Sequence, residues 1–161
     1  MSAQMYVTIK GAVQGTFKGR GPRPEQGRIP VVSFEWETLT PLDPASGRPT
    51  GKRTHKPVVF RKEVDAASPQ ILEALVTNET LRSAEFEFLS VAQDGRETVD
   101  YTVSLTNASV TAFRESVQTG ERGGPAVDSR RLDEVALVFQ RIEIANREGA
   151  TTAADDWISA V

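Results

Sequence analysis

The chain contains no cysteine and a single histidine, His55, among its 161 residues. The lack of cysteine excludes disulfides, thiolate metal sites and cysteine nucleophiles, and one histidine excludes a histidine-rich metal site. No apolar run approaches the roughly 20 residues that a transmembrane helix needs, so we expect no membrane insertion. The net charge of −3 gives no general case for binding nucleic acid. The sequence therefore predicts no metal, no cofactor and no nucleic-acid partner.

The N-terminus carries no basic segment followed by an apolar run, so no classical signal peptide is predicted. Together with the lack of cysteine, this pattern predicts that the chain is made and folded in the cytoplasm. Any export would then use a route that recognises the folded surface rather than a leader peptide. The length predicts one domain, spanning residues 1–161, with a core of ordinary size.

Apolar and polar residues alternate over most of the chain, which predicts β-strands joined mainly by antiparallel connections. The alternation is cleanest from Val99 to Leu105, and Asp94-Gly95 before it is a strong hairpin signal. The apolar phase shifts past Asn107, which predicts a bulge or bend there. The pattern as a whole predicts an all-β, mainly antiparallel fold, a two-sheet β-barrel or sandwich with one short α-helix.

The segment from Ile29 to Thr38 is predicted to be one strand with two well-separated faces. We expect its apolar face to be buried and its polar face to be exposed. The apolar face carries Val32, Phe34 and Trp36, and the polar face carries Ser33, Glu35 and Glu37.

A final long strand is predicted from Arg131 to Ile144, after a glycine-rich loop at 121–125. Apolar residues occupy both faces of this strand, which is typical of a strand covered on two sides. We expect its second face to be covered by the helix or by a neighbouring subunit. That face consists of Val138, Ile142 and Ile144.

The stretch from Gly51 to Leu75 combines a basic turn, a strand and a helix start. Val58 and Phe60 lie on one side of an alternating pattern, as a half-buried strand requires. Ser68 followed by Pro69 predicts the N-cap and first turn of a helix, because the N–H that proline lacks would be unpaired there. An apolar stripe along the next eight residues continues that helix.

Prolines and glycines punctuate the segment from Leu39 to Thr54, which predicts a long protruding loop. Loops of this length in compact domains are functional or disordered. The tip of the loop and the turn after it are basic, and their cationic residues are Arg48, Lys52, Arg53, His55 and Lys56. In a head-to-tail assembly a patch on one copy meets a different patch on the next, and complementary charge fixes the register. We therefore predict that these residues form a ring-stacking or subunit interface.

The residue pattern favours no catalytic activity. His55 is the best candidate for a general base, but no G-x-S-x-G elbow accompanies it, and it lies in a proline-rich loop that we expect to be exposed. We interpret it as a turn or interface histidine. Glu85 and Glu87 could form an acid–base pair, but same-face carboxylates occur on every solvated strand. Asp155 and Asp156 could help to hold a divalent ion, but no second cluster of oxygen ligands accompanies them. We predict no catalytic, cofactor-binding or metal-binding residues.

The stretch from residue 51 to residue 75 resembles the signature region of the Hcp family (haemolysin-coregulated proteins), the tube protein of bacterial type VI secretion systems. That family has a G-R/K-x-x-H-K-P element, a strand that ends near K-E, and a D-x-x-S-P run before the helix. The matching residues are Gly51, Lys52, His55, Lys56, Pro57, Lys62, Glu63, Asp65, Ser68 and Pro69. The resemblance implies two sheets that close as a barrel, with one helix.

The resemblance also implies a function, that of a subunit in a hexameric ring whose rings stack into a hollow tube. In the family a contractile sheath propels the tube, which leaves the bacterial cell and can carry effectors in its lumen. The implied partners are other copies of the chain, sheath and spike proteins, and small effector proteins. On this basis we expect the polar face with Ser33, Glu35 and Glu37 to line the lumen.

Two other functions are compatible with the sequence. A monomeric β-sandwich binding module would need an exposed aromatic platform, for which two Trp and two Tyr provide few candidates. A tube protein of a related contractile injection system would share the fold. The size of the particle in solution distinguishes a ring from a monomeric module.

Overall fold

The computed structural model describes residues 4–20, 23–118 and 130–157. These residues form eleven β-strands and one α-helix, α1 (Ala67–Val76). The strands are β1 (Gln4–Gly11), β2 (Gly15–Thr16), β3 (Ile29–Pro30), β4 (Ser33–Glu35), β5 (Thr38–Leu39), β6 (Thr54–His55), β7 (Val58–Glu63), β8 (Leu81–Val91), β9 (Glu97–Gln118), β10 (Arg130–Asn146) and β11 (Thr151–Asp156). The glycine-rich loop predicted at 121–125 lies outside the described residues.

Most strands belong to one large sheet, in the order β2-β1-β8-β9-β10-β7-β4, with β3 also paired to β1 and β11 to β10. Every ladder in the described part of the chain is antiparallel. Strands β5 and β6 pair with each other. No ladder joins β2 to β4 in this part of the chain, so the sheet folds over as a sandwich and does not close as a barrel. The predicted mainly antiparallel β fold with one helix is confirmed.

Two layers arise because β9 and β10 are long enough to belong to both. Strand β8 pairs with β9 only as far as Ala108, whereas β10 follows β9 over most of its length. Beyond Ala108, β9 therefore belongs to a second layer, with the order β4-β7-β10-β9. Asn107 has a φ of 50°, and the β9–β10 register shifts between Ala136 and Leu137. This confirms the irregularity predicted past Asn107.

Aromatic side chains fill the space between the layers. The ring centroid of Phe86 on β8 lies 4.6 Å from that of Phe34 on β4 and 5.3 Å from that of Phe60 on β7. Phe60 and Phe86 are fully buried, and burial of side chains of this size contributes about 1.5–3 kcal/mol each. Helix α1 packs on β9 and buries Ile71 and Ala74. No helix in the described residues is long and apolar enough to cross a membrane.

The segment predicted as one strand from Ile29 to Thr38 is divided among β3, β4 and β5. Strand β3 pairs with β1 and β4 pairs with β7, so the chain crosses from one layer to the other between them. Val32 lies at this crossing and is 51% exposed, so the prediction that it is buried is wrong. Phe34 and Trp36 do pack against the core, as predicted.

The helix begins one residue before Ser68, so the prediction of Ser68 as the N-cap is wrong. The carboxylate of Asp65 serves the helix start instead, because its Oδ1 accepts the N–H of Ala67 at 2.9 Å. Ser68 is buried, and its hydroxyl accepts the N–H of Asp65 at 3.0 Å and donates to Asp133. Pro69 lies within the first turn, where helical N–H groups have no partner in the helix.

A buried group of charges lies beneath the helix start, and we name it the Lys62 cluster (Lys62, Asp65, Ser68 and Asp133). Lys62 is fully buried, and its Nζ donates to Asp133 Oδ2 and Asp65 Oδ1, both at 2.8 Å, and to Ser68 Oγ at 3.0 Å. Asp133 is also fully buried and faces Lys62 across the β7–β10 ladder. The cluster therefore joins β7, β10 and the start of α1.

Candidate assembly surfaces

The predicted loop between β5 and β6 protrudes from the molecule. From Leu39 to Thr54 every residue is exposed except Asp43 and Arg53, which are half-buried. The two short strands at its base, β5 and β6, pair through Thr38 with His55 and Leu39 with Thr54. The prediction of a long protruding loop is confirmed.

Hydrogen bonds within the loop give it a defined shape. Asp43 is the centre of this network: its Oδ1 accepts the N–H of Ala45 at 3.0 Å, and its Oδ2 accepts the hydroxyl of Ser46 at 2.8 Å. Backbone hydrogen bonds run from the N–H of Asp43 to the carbonyl of Arg48 at 2.8 Å and from Thr50 to Pro41 at 2.7 Å. The donors to its carboxylate, Ala45 and then Ser46, hold the pKa of Asp43 below its ordinary value. The loop is therefore an ordered projection.

The base of the loop is held to β11 by a second network, which we name the Asp155 anchor (Thr38, Arg53, His55 and Asp155). Arg53 donates from Nε to Asp155 Oδ2 at 2.5 Å and from Nη2 to Asp155 Oδ1 at 2.7 Å. This two-point contact fits the planar guanidinium to the carboxylate. His55 Nε2 lies 2.6 Å from Asp155 Oδ2, and its Nδ1 lies 2.8 Å from the hydroxyl of Thr38. Because an ionised carboxylate can only accept, Nε2 carries a proton in this arrangement.

Aromatic rings enclose His55 as well. Its ring centroid lies 5.3 Å from that of Phe139 and 5.0 Å from that of Trp157, and its side chain is only 3% exposed. The expectation that His55 lies in an exposed loop is therefore wrong. A buried imidazole with both nitrogens engaged suits a structural link between the loop and β11.

The five residues predicted to act together fall into three groups. Arg48 and Lys52 are exposed on the loop and make no ion pair within the described residues. Arg53 and His55 point back to their own chain as part of the Asp155 anchor. Lys56 lies 3.2 Å from the carboxylate of Glu37 at the exposed surface. The only sequence signal for the anchor was the acidic pair that contains Asp155.

The Asp155 anchor predicts a specific response to acid. The hydrogen bond from Arg53 chiefly, and that from His55, lower the pKa of Asp155 from 3.8 to about 2, although burial opposes this shift. Because the pKa of Asp155 is lower in the folded state, its ionised carboxylate stabilises the fold fully at any pH above the pKa of the unfolded state. This stabilisation is lost as the pH falls towards 2. We expect the urea midpoint of the wild type to exceed that of Asp155→Asn at pH 5. The difference should shrink between pH 4 and pH 2, and a constant difference would contradict the assignment.

The base of the loop also covers part of β10. Ile142 is 3% exposed and lines an apolar groove with Trp36, His55 and Ile144, whereas Val138 is 39% exposed. The prediction that the helix or a neighbouring subunit covers this face is therefore wrong for Ile142, because the chain's own loop base covers it. The three residues do not share one environment, because the buried positions of β10 are odd-numbered as far as Phe139, whereas the next buried residue is Ile142.

The predicted polar face lies on the outside of the layer β4-β7-β10-β9. Ser33, Glu35 and Glu37 are all exposed, as predicted. Ser33 pairs with Arg61, Arg61 with Glu134, and Glu134 with Arg114, so these four residues form one row across the layer. Sequence alternation identified the β4 end of this face but not the residues that β7, β9 and β10 bring to it.

Both edges of this layer are open in the described residues. Strand β4 pairs with β7 and has no ladder on its other side. Strand β9 beyond Ala108 pairs with β10 and has no ladder on its other side. Open edges present unpaired N–H and C=O groups that can pair with another chain. No group of three or more metal-ligating side chains occurs in the described part of the chain.

Comparison with known proteins identifies the family. The family model described as "Type VI secretion system effector, Hcp" matches residues 6–145. The chain is 31% identical to the "Major exported protein" of Pseudomonas aeruginosa strain PAO1, over 100% of this chain and 99% of the relative. A crystal structure of an Hcp protein superposes with a TM-score of 0.81 at 20% identity, covering 97% of this chain and 100% of the other. A double mutant of Hcp1 from E. coli EAEC 042 gives a TM-score of 0.80 at 27% identity, covering 97% and 99%. The chain therefore belongs to the Hcp family of type VI secretion proteins.

Proposed function

We propose that this chain is a structural subunit of the hollow inner tube of a type VI secretion system. Six copies form a ring, the rings stack into a tube, and the tube is exported from the bacterial cytoplasm. Its partners are further copies of itself, sheath and spike proteins, and small effector proteins in the lumen. The likeness to Hcp proteins over almost the entire chain is the observation that carries this proposal.

The loop between β5 and β6 supports the stacking of rings. It is ordered by its own hydrogen bonds, yet its exposed residues include Leu39 and Leu42, which are 43% and 61% exposed. An ordered projection with exposed apolar and cationic side chains suits contact with another copy. Arg48 and Lys52 are free to meet an acidic surface there, whereas Arg53 and His55 hold the base of the loop in place.

The layer β4-β7-β10-β9 supports the formation of a ring around a lumen. Its two open edges allow neighbouring copies to pair along β4 and β9. Its outer face carries Ser33 and Glu35, with Glu37 just beyond β4, and remains polar and exposed. If this face lines a water-filled lumen, the carboxylates of Glu35 and Glu37 stay in contact with water when the ring forms.

Charge reversal on the loop tests the stacking. The double variant Arg48→Glu and Lys52→Glu should form rings but not stacks, because like charges on facing surfaces repel. Light scattering should give a ring of about 106 kDa, six times the 17.6 kDa chain, and negative-stain images should show single rings. The matched control is Lys10→Glu with Arg82→Glu, which makes the same charge change at exposed positions outside the loop.

Two results would count against this proposal. Stacks of normal length in the loop variant would show that its cations do not hold rings together. A wild-type particle that stays at 17.6 kDa at every concentration would reject the ring itself and favour a monomeric binding module.

A further inference from the structure

Two adjoining clefts at the Arg130 end of β10 are rich in arginine. One, of about 230 Å³, is lined by Arg61, Arg114 and Arg130 among others. The other, of about 430 Å³, is lined by Arg20, Arg130 and Arg131 among others. The clefts share Arg130 and Leu132 and therefore adjoin, and we name the two together the arginine trough.

The carboxylates in the trough are already engaged. Glu63 pairs with Arg20, and Glu134 lies 3.4 Å from Arg61. The remaining carboxylate, that of Asp133, belongs to the buried Lys62 cluster. The trough therefore holds more cations than anions, although the chain carries a net charge of −3.

Three arginines of the trough make no ion pair within the described residues. They are Arg114, Arg130 and Arg131, and all three are exposed. A guanidinium group presents a planar set of N–H donors whose spacing matches a carboxylate, and it is always charged. Apolar contact is available beside them, because Leu132 and Val32 line the larger cleft.

We propose that the arginine trough binds an acidic segment of another protein, through carboxylate side chains. This inference rests on the proposed function for its setting, because Arg61 and Arg114 share a row with Ser33 and would face the lumen with it. The segment then belongs to a protein carried inside the tube. An acidic peptide fits better than nucleic acid, because its carboxylates can be spaced to avoid Glu35, Glu63 and Glu134, whereas a nucleic acid carries a phosphate at every nucleotide.

Peptide binding to the full-length chain tests the inference. The probe is a fluorescein-labelled ten-residue peptide of alternating glutamate and serine, measured by fluorescence anisotropy at low salt. The triple variant Arg114→Gln, Arg130→Gln and Arg131→Gln should bind it roughly tenfold more weakly than the wild type, as expected for three exposed ion pairs. Binding to the wild type should also weaken strongly in 0.5 M salt, where surface charges are screened.

The matched control makes the same charge change elsewhere. Lys10, Lys18 and Arg82 are exposed and line neither cleft, so replacing all three by glutamine should leave peptide binding within twofold of the wild type. Arg114→Gln alone should weaken binding by about twofold to threefold. This single exposed change guards against a folding defect in the triple variant, and circular dichroism should show both variants folded.

Three outcomes would overturn the inference. The first is no binding to the wild type, and the second is equal weakening by the control variant, which would reflect net charge alone. The third is tighter binding of a single-stranded oligonucleotide of equal charge with the same dependence on Arg114. Light scattering on the same samples separates the two proposals: rings without peptide binding reject the trough alone, and peptide binding by a monomer rejects the ring alone.

Discussion

Replacing Lys62 by methionine should lower the free energy of unfolding by about 3–5 kcal/mol. Methionine nearly matches the length of the lysine stem but removes the ammonium group that donates to Asp133 and Asp65. Asp133 would then stay fully buried without its cation, and one of its oxygens, Oδ1, already has no hydrogen-bond partner. Removing one member of a buried ion pair costs far more than the pair itself contributes, because the other charge is left uncompensated.

Urea unfolding with the tryptophan signal measures this change. Lys18→Met is the matched control, because Lys18 is exposed and its side chain makes no ion pair within the described residues. Surface changes of this kind usually stay within about 0.5 kcal/mol. The double variant Lys62→Met with Asp133→Leu should regain part of the loss, because apolar residues can replace a buried ion pair. A Lys62→Met protein as stable as the control would contradict the role assigned to the cluster.

Lys62 also shows what alternation cannot predict. It falls on the same side of β7 as Val58 and Phe60, where a polar residue conflicts with the expected burial. Its partner Asp133 is 71 residues further along the chain, and the two meet only through the register of β7 and β10. Pairing at that distance is a property of the folded sheet, so local sequence could not reveal it. The strands themselves, with their local period of two, could be predicted.

The segment from Ile29 to Thr38 shows a related limit. Its residues alternate as one strand would, but β3 and β4 pair with different partners, and the chain turns between them. Burial follows the local layer, so Phe34 packs inward while Val32 is exposed. A strand that changes layers keeps its alternation but changes what each face contacts, and sequence alone records only the alternation.

The basic loop was predictable as an element, but the roles of its residues were not. Proline and glycine spacing identified the loop, and charge identified its cationic residues. The structure assigns two of these, Arg53 and His55, to Asp155, which lies about one hundred residues later. A cationic side chain near a predicted interface can form an ion pair with a partner or with its own chain. Which of the two it forms depends on where the carboxylates lie in the folded structure.

Replacing Asp155 by alanine should release the base of the loop while the sandwich stays folded. The change removes the acceptor of both Arg53 and His55, and it leaves the 3%-exposed imidazole without its Nε2 partner. An unsatisfied buried donor costs about 1–3 kcal/mol. We expect amide hydrogen exchange to speed up at least tenfold in residues 38–56. Exchange in β1 and β8 should speed up less than exchange in the loop base, because those strands open only when the whole domain unfolds.

The matched contrast is Asp43→Ala. This change removes a carboxylate within the loop itself, whereas Asp155 lies on β11 and holds the base of the loop. That variant should speed amide exchange near Ala45 and Ser46, because both residues donate a hydrogen bond to the Asp43 carboxylate. The amide of Lys56 should stay protected, because it donates to the carbonyl of Glu37. If Asp155→Ala speeds exchange across the whole chain equally, the anchor stabilises the fold rather than the loop. If exchange in 38–56 is unchanged, the loop holds its position without the anchor. A selective release, together with loss of stacked rings in negative-stain images, would show that Asp155 acts on assembly by fixing the direction in which the loop projects.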